Sequence, residues 1–173
     1  MKTLLIMRHA KSSWDDPDQP DHDRPLNKRG KCDAPQMGQL LREQNLVPEL
    51  IITSTAARAR KTAKRVAQSC GYDQEIVKRP ELYQGGIESY VQALRELGDP
   101  AEHILIIGHN PDLSEWLEML TGQLTTFPTA AIAQVKLDVT TWSELTAATP
   151  GRIQNLWRPK ELPQTDSSVD HSN

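Results

Sequence analysis

Two short runs of the chain are apolar at every position, and they constrain its fold more than any other feature. Residues 4–7 are Leu-Leu-Ile-Met, and residues 104–107 are Ile-Leu-Ile-Ile. A strand with no polar alternation needs cover on both faces, as in a parallel sheet flanked by helices. The chain is therefore predicted to be an α/β protein, a three-layer α/β/α sandwich on a mostly parallel central sheet.

The remaining elements follow from periodicity and capping signals. The predicted strands are 3–7, 50–52, 74–78, 103–107, 131–139 and 152–157. The predicted helices are 27–44, a second that follows Ser54 or Thr55 and ends near residue 68, 87–97, and a last one from Pro111. Ser54 or Thr55 is expected to cap the second helix, and Asn110 the last. Pro35 should kink the first helix or shift its start. The strand at 152–157 is expected to be antiparallel or at an edge.

The composition limits the class of protein. A chain of 173 residues is long enough for one domain with its own core. We place that domain at residues 1–159 and expect residues 160–173, which are polar, to be a disordered tail. The formal charge of −3 argues against a general nucleic-acid binder.

The cellular setting is predicted from three features. No run approaches the roughly 20 apolar residues that a membrane helix needs. The first residues do not resemble a signal peptide. Cys32 and Cys70 lie in separate helix-like segments and are expected to be reduced thiols. Together these features predict a cytoplasmic protein with no membrane or nucleic-acid partner.

Cationic and histidine residues follow three of the apolar strands. Arg8 and His9 come after the first, Arg58 lies shortly after the strand at 50–52, and His109 follows the strand at 103–107. Ligands of open α/β sheets bind beyond the carboxyl ends of the strands, so these four side chains are predicted to meet there. Each residue alone is more often structural, and their convergence is what points to a site.

These residue types suit the chemistry of a phosphoryl group. Two guanidinium groups match its oxygens, and the N-terminus of a helix starting near Asn110 would add its dipole. A neutral imidazole can attack phosphorus, and nearby positive charge disfavours protonation of His9. We expect double displacement through phospho-His9, with His109 stabilising charge on the oxygens.

The motifs around these residues resemble those of a known family. Arg8-His9-Ala10 is similar to the Arg-His-Gly signature of the histidine phosphatase superfamily, and residues 54–63 and 108–111 resemble its arginine and second-histidine motifs. Residues 24–26 with Gly30, and residues 82–85, are similar to those of the SixA-like phosphohistidine phosphatase branch. The resemblance covers roughly residues 1–160.

The resemblance implies a phosphoglycerate-mutase-like fold and a metal-independent hydrolase with no cofactor. It implies that His9 is the phosphorylated nucleophile and that Arg8, Arg58 and His109 complete the catalytic, substrate-binding pocket. The implied substrate is a phosphohistidine on a protein, in signal transduction, or a small phosphorylated compound. A monomer is favoured.

The chain departs from the family pattern at two places. Ala10 replaces a common glycine, and the residue that would protonate a leaving group is open between Glu81, a non-acidic Gln84, and none. An alkoxide leaving group needs a general acid, whereas imidazole has a conjugate acid of pKa about 6.5 and needs little help. A missing acid would favour cleavage of a P–N bond.

Three other features are less specific. The acidic loop at 15–24 lacks the ligand order and the glycine of a calcium loop, so we expect a solvated loop near the mouth of the site. Trp14, in the polar loop near His9, is a candidate for substrate contact, and Arg24 could touch substrate or pair with a carboxylate.

Two other functions remain open from the sequence. One is a phosphatase of a small phosphate ester, which predicts a functional acid at Glu81. The other is a non-catalytic module that binds a phosphorylated ligand, which predicts binding without turnover.

Overall fold

The computed structural model describes residues 1–163 of the chain. The strands are β1 (Lys2–Arg8), β2 (Leu50–Ser54), β3 (Ile76–Arg79), β4 (His103–Gly108), β5 (Ile132–Leu137) and β6 (Gly151–Trp157). The helices are α1 (Lys28–Glu43), α2 (Ala57–Cys70), the single turn α3 (Glu81–Gln84), α4 (Ile87–Leu97) and α5 (Asp112–Thr121). Short 3-10 turns occur at Asp21–Asp23, Trp142–Glu144 and Pro159–Glu161.

All six strands form one sheet in the order β3-β2-β4-β1-β5-β6. Strands β3, β2, β4 and β1 are parallel to one another. Strand β5 is antiparallel to β1, and β6 is antiparallel to β5. The predicted mostly parallel sheet is therefore confirmed, as is the antiparallel edge position of the last strand.

Alternate residues of the central strands face two separate cores. Leu4 and Ile6 of β1 pack with residues of α4 and α5 on one face of the sheet. Leu5 and Met7 pack with residues of α1 and α2 on the other face. All four side chains are fully buried, because successive strand residues point to opposite faces and both faces are covered. This is the predicted three-layer α/β/α sandwich.

The helix starts agree only in part with the predictions. The Asn27 side chain accepts a hydrogen bond from the Gly30 N–H at 2.9 Å, so α1 begins where the capping signal places it. The helix runs through Pro35, whose predicted effect on the start is therefore wrong. Helix α2 has Ala56 at its N-cap, with no side-chain cap. The predicted cap by Ser54 or Thr55 is wrong, because Ser54 still belongs to β2.

Helix α5 begins one residue later than predicted, at Asp112, with Pro111 at the N-cap. The side chain of Asn110 still accepts a hydrogen bond from the backbone N–H of Ser114, at 3.1 Å. Asn110 therefore pairs one of the free N–H groups in the first turn of α5, but it does so from the residue before the N-cap and not from the N-cap itself.

The first residues of the predicted tail, 160–163, lie against the domain. Pro159–Glu161 form a 3-10 turn, and Leu162 packs against the core beneath α1 and α2. The rest of the predicted tail, 164–173, lies outside the described residues. Both cysteines are free thiols. Within residues 1–163, none of the helices has the length and apolar character to cross a membrane.

Candidate active site

The ends of β1 and β4 bring two histidines side by side. The strands are parallel neighbours, and their register pairs Arg8 with Gly108. His9 and His109 follow that pair, and their ring centroids lie 5.2 Å apart. The backbone N–H of His9 donates to the carbonyl oxygen of Gly108 at 3.1 Å. The juxtaposition thus follows directly from strand register.

The His9 ring has one nitrogen bound and one free. Its Nδ1 lies 2.7 Å from the carbonyl oxygen of Ala10. A carbonyl oxygen can only accept, so Nδ1 carries the ring proton and Nε2 holds a lone pair. Burial lowers the pKa of His9 to about 3, and positive charge on His109, Arg58 and Arg8 acts in the same direction. His9 is therefore neutral near pH 7, as attack on phosphorus requires.

Thr62 of α2 ties the end of β1 to the helix that carries Arg58. Its buried hydroxyl donates to the Arg58 carbonyl oxygen at 2.6 Å and accepts from the backbone N–H of Ala10 at 3.0 Å. Ala10 is fully buried. This single side chain therefore couples the position of the segment holding His9 to the first turn of α2.

The two arginines approach the histidines from different elements. Arg58, in the first turn of α2, is only 6% exposed. Arg8, at the end of β1, donates from Nη1 to the Phe127 carbonyl oxygen at 3.3 Å. Burial lowers the pKa of Arg8 from its ordinary value, and the charge of Arg58 lowers it further. Two cations held close together, and partly removed from water, attract an anion.

His109 is held by hydroxyl groups on both its backbone and its ring. Its backbone N–H donates to the buried Tyr90 hydroxyl at 3.1 Å, and a Cβ at Gly108 would collide with that hydroxyl. The His109 Nε2 lies 2.8 Å from Ser54 Oγ, which also accepts from the Ala56 N–H. When Ser54 donates to Nε2, the ring proton is on Nδ1. Burial lowers the pKa of His109 to about 4.

Three buried nitrogen atoms of these residues have no hydrogen-bond partner within residues 1–163. They are Arg8 Nε, Arg58 Nε and His109 Nδ1. Buried polar atoms of native proteins are nearly always paired, so a cluster of unpaired ones calls for an explanation. An oxyanion in the pocket would supply acceptors to the two guanidinium nitrogens and to a protonated Nδ1.

Asp21, from the acidic loop, lies at the mouth of this pocket. Its carboxylate accepts from Arg58 Nη2 at 3.0 Å, from Arg24 Nε at 3.1 Å and from the hydroxyl of Tyr83. The Tyr83 hydrogen bond, followed by Arg58, lowers the pKa of Asp21 to about 2. Burial and the Asp21 carboxylate raise the pKa of Tyr83. Near pH 7 the pair is thus an ionised carboxylate and a neutral phenol.

Tyr83 also contacts two histidine rings edge to face. Its ring centroid lies 4.8 Å from that of His22 and 5.6 Å from that of His109. His22 Nε2 in turn lies 2.9 Å from Thr55 Oγ1. Tyr83 is therefore the α3 side chain that reaches the pocket.

The candidate proton donors from the sequence lie elsewhere. The Glu81 carboxylate pairs with Arg79 at 3.3 Å, and Arg79 also binds Glu96 of α4. Gln84 is exposed. Among the described residues, no hydrogen bond links Glu81 or Gln84 to the four predicted pocket residues.

Two side chains near the start of the chain, Asp21 and Trp14, contact Arg24. Arg24 pairs with Asp21, as one of the two sequence-based alternatives proposed. The ring of Trp14, which is 72% exposed, covers the Arg24 guanidinium at 3.5 Å. In the part of the chain that the structure describes, no three His, Cys, Asp or Glu side chains form a group able to hold a metal ion.

The structure brings together all four residues that the sequence singled out and adds Asp21, Tyr83, Ser54 and Thr62. The sequence predicts only that Asp21 is one of several solvated carboxylates, although it precedes Arg24 by three residues. Tyr83 lies in a segment used for the resemblance but was given no role. A sequence signal for either residue is weak, because both act through contacts with distant elements.

Comparison with known proteins gives consistent matches. The model of the histidine phosphatase superfamily (branch 1) matches residues 4–84. An uncharacterised chloroplastic protein of Arabidopsis thaliana is 32% identical over an alignment 185 residues long, which covers 97% of this chain and 80% of that protein.

Two solved structures resemble this one over most of their length. One, assigned as the phosphohistidine phosphatase SixA of Agrobacterium tumefaciens, has a TM-score of 0.77 at 26% identity and covers 91% of this chain and 98% of its own. The other, the protein histidine phosphatase SixA in complex with tungstate, has a TM-score of 0.78 at 25% identity. The match covers 91% of this chain and 97% of the SixA chain.

Proposed function

The chain belongs to the histidine phosphatase superfamily, with a phosphoglycerate-mutase-like fold and SixA-like relatives, and on that premise we propose that it is a phosphohistidine phosphatase. The proposed reaction is hydrolysis through a phospho-His9 intermediate. The proposed substrate is a phosphorylated protein in cytoplasmic signal transduction. Membership of the superfamily supports a phosphatase, and the local geometry carries the finer assignment.

The observation that carries the proposal is the set of unpaired nitrogens around His9. Arg8 Nε, Arg58 Nε and His109 Nδ1 are buried without partners in the described residues, and the ring of His9, whose Nδ1 is bound to the Ala10 carbonyl oxygen, lies 5.2 Å from the ring of His109. A tetrahedral phosphoryl group offers oxygens to the three nitrogens and phosphorus to Nε2. Tungstate, bound in the SixA structure, is an oxyanion of the same shape.

The first chemical step transfers the phosphoryl group to His9. The lone pair on Nε2 forms a bond to phosphorus while the bond to the leaving group breaks and its electron pair stays with the leaving atom. The Nδ1 proton, held by the Ala10 carbonyl oxygen at 2.7 Å, keeps the ring in the reactive tautomer. Arg8, Arg58 and His109 stabilise the charge on the phosphoryl oxygens.

The second step returns the enzyme to its starting state. Water attacks phosphorus while the bond to Nε2 breaks. The electron pair of that bond stays with Nε2, so His9 leaves as a neutral imidazole, and both protons of the water remain on the phosphate that forms. The low pKa of free His9, about 3, reflects an environment that favours this neutral ring. Phosphate then leaves the site as the second product.

The state of the acidic groups supports a P–N substrate. Glu81 is engaged with Arg79, and the pKa of Asp21 is about 2, so this carboxylate holds no proton to donate near pH 7. The pKa of Tyr83 is raised, which makes its phenol a poor acid. An alkoxide needs such a donor, whereas the imidazole of phosphohistidine leaves with little help.

The test is phosphate release from a phosphohistidine peptide and from an aryl phosphate ester, measured side by side. We expect faster turnover of the peptide and no turnover by His9→Ala. His103→Ala is the matched control, since His103 is 40% exposed and pairs with Glu49 rather than with the pocket.

The other outcomes select the remaining functions. Faster turnover of the ester would support a small-ester phosphatase. Tungstate binding without turnover of either substrate would support a phospho-ligand binding module.

A further inference from the structure

The Asp21 carboxylate is exposed on the outer side of the pocket. Its side chain is 50% exposed, whereas the Arg24 and Arg58 side chains that bind it are each 8% exposed. His9, at the base, is 7% exposed. Attacking and leaving groups lie roughly in line across phosphorus, so a group displaced by the buried His9 is expected to depart toward solvent, the side on which the Asp21 carboxylate is accessible.

The carboxylate has capacity for a further hydrogen bond. Within the described residues, Oδ2 accepts from Arg58 and Tyr83, whereas Oδ1 accepts from Arg24 Nε alone. An ionised carboxylate oxygen can accept about two hydrogen bonds. Asp21 therefore presents a negatively charged acceptor to any N–H at the mouth.

The environment of His9 shows what a phosphorylated imidazole needs. When Nε2 carries phosphorus, the far nitrogen Nδ1 keeps its proton, and the Ala10 carbonyl oxygen accepts it at 2.7 Å. A phosphohistidine substrate contains the same phosphorylated imidazole, but there the ring loses phosphorus instead of gaining it. It departs as neutral imidazole only when its own far nitrogen holds a proton, and that N–H also needs an acceptor.

We propose that Asp21 accepts a hydrogen bond from the far N–H of the leaving imidazole and so selects phosphohistidine over phosphate esters. The proposal rests on the proposed function and names the group that recognises its substrate. Asp21 is an acceptor here, not a proton donor.

The transfer step balances without an outside proton. The substrate enters as a phosphoimidazolium ring protonated at its far nitrogen. The P–N bond breaks, its electron pair returns to the substrate ring, and the new bond forms between phosphorus and His9 Nε2. The substrate ring departs as neutral imidazole with its N–H still directed at Asp21, and the positive charge moves to the phospho-His9 ring.

The same carboxylate disfavours ester substrates. An alkoxide or phenoxide has no N–H to offer and develops negative charge as it leaves. The ionised Asp21 at the mouth would repel that charge. Attraction for one leaving group and repulsion for another together give a specificity element.

The first test compares two substrates in two variants. Asp21→Asn removes the charge, and we expect kcat/KM for a phosphohistidine peptide to fall ~10- to 100-fold, as for loss of a charged hydrogen bond. The backbone carbonyl oxygen at position 21 still accepts from Arg58 Nη1 in this variant, so for an aryl phosphate ester we expect a fall of less than about threefold, or a gain. Asp23→Asn is the matched control. It lies two residues away, is 61% exposed and contacts His22 rather than Arg58, and should change neither value.

A second test uses the unaltered protein and so does not depend on a variant folding. Phosphoimidazole protonated at its far nitrogen and its N-methyl counterpart carry the same ring charge and differ only in having a hydrogen or a methyl group there, and both release a neutral ring. After correction for spontaneous hydrolysis, the enzyme should accelerate phosphoimidazole at least about tenfold more than the methylated compound.

The outcomes separate this proposal from the proposed function. Equal losses on both substrates in Asp21→Asn, or equal acceleration of the two imidazoles, would overturn the role of Asp21 while leaving a phosphohistidine phosphatase. The first result would leave Asp21 only the task of holding Arg58. Failure of the wild-type protein to cleave any P–N substrate would overturn both.

Discussion

Arg58 is held by Asp21 through two hydrogen bonds, one to the backbone and one to the side chain. Its Nη1 donates to the Asp21 carbonyl oxygen at 2.7 Å, and its Nη2 donates to Oδ2 at 3.0 Å. The guanidinium plane is thereby oriented before any ligand arrives, and Nε stays unpartnered among the described residues. Such preorganisation lowers the cost of binding an anion in one geometry.

Arg58 should be essential for binding oxyanions. We expect Arg58→Ala and Arg58→Lys to weaken tungstate binding ~10- to 100-fold, because a charged hydrogen bond is lost and lysine lacks the planar fork. Titration calorimetry with tungstate measures this without relying on turnover. Arg65→Ala, on the same helix α2, is the control for removal of one positive charge. Unchanged affinity in Arg58→Ala would remove Arg58 from the pocket.

His9 should carry the phosphoryl group during turnover. We expect a rapidly quenched reaction with labelled substrate to show an acid-labile phosphoprotein in the wild type. His9→Ala should give none, since no other histidine within residues 1–163 has its Nδ1 bound to a carbonyl oxygen and its Nε2 free. His103→Ala should be labelled normally. A labelled His9→Ala protein would contradict the assignment of the nucleophile.

Stability should fall between pH 6.5 and about 4 because of the two buried histidines. Burial lowers the pKa of His9 to about 3 and of His109 to about 4, from 6.5 when unfolded. In that window the unfolded chain binds more protons than the folded one, so acid favours unfolding. Each histidine should lower the free energy of unfolding by about 2 kcal/mol at pH 5 relative to pH 7. Asp21, whose pKa is about 2, adds to this loss of stability only below about pH 4, where its carboxylate is protonated in the unfolded chain.

Urea unfolding at pH 7 and at pH 5 measures this dependence. His109→Gln removes one of the two groups, so its loss of stability between the two pH values should be about 2 kcal/mol smaller than that of the wild type. An identical loss in both proteins would show that His109 is not held neutral by burial.

Two tyrosines offer a matched pair of substitutions. Tyr90 accepts from the His109 N–H and donates to the Leu82 carbonyl oxygen. Tyr72 likewise accepts from the Ile51 N–H and donates to a carbonyl, that of Glu75. Each change to Phe should destabilise the fold, by about 1–3 kcal/mol where the freed groups are buried.

Of the two variants, only Tyr90→Phe should also lower kcat, because Tyr90 holds the backbone of the pocket residue His109, whereas Tyr72 holds that of Ile51. Thermal melts and steady-state kinetics on both variants separate the two effects. An equal loss of kcat in Tyr72→Phe would indicate that the effect comes from stability and not from His109.

The layered fold was predictable because its signals are local. The fully apolar segments of β1 and β4 show that both faces of the sheet are covered, and the Asn27 cap marks the start of α1 within a few residues of sequence. The errors also have local causes. Ser54 looks like a helix cap in sequence, but its hydroxyl lies 2.8 Å from His109 Nε2 across a contact that the sequence does not display.

The sequence by itself determined the parallel sheet and the positions of Arg8, His9, Arg58 and His109 near its carboxyl edge. It could do so because Arg8, His9 and His109 lie at the ends of strands that consecutive apolar residues mark as buried, and Arg58 lies shortly after a third such strand. Only the tertiary structure decided that Asp21 and Tyr83 belong to the same site. Their hydrogen bond joins residues 62 positions apart, and neither the loop nor the single-turn helix has a periodic pattern that would predict the contact.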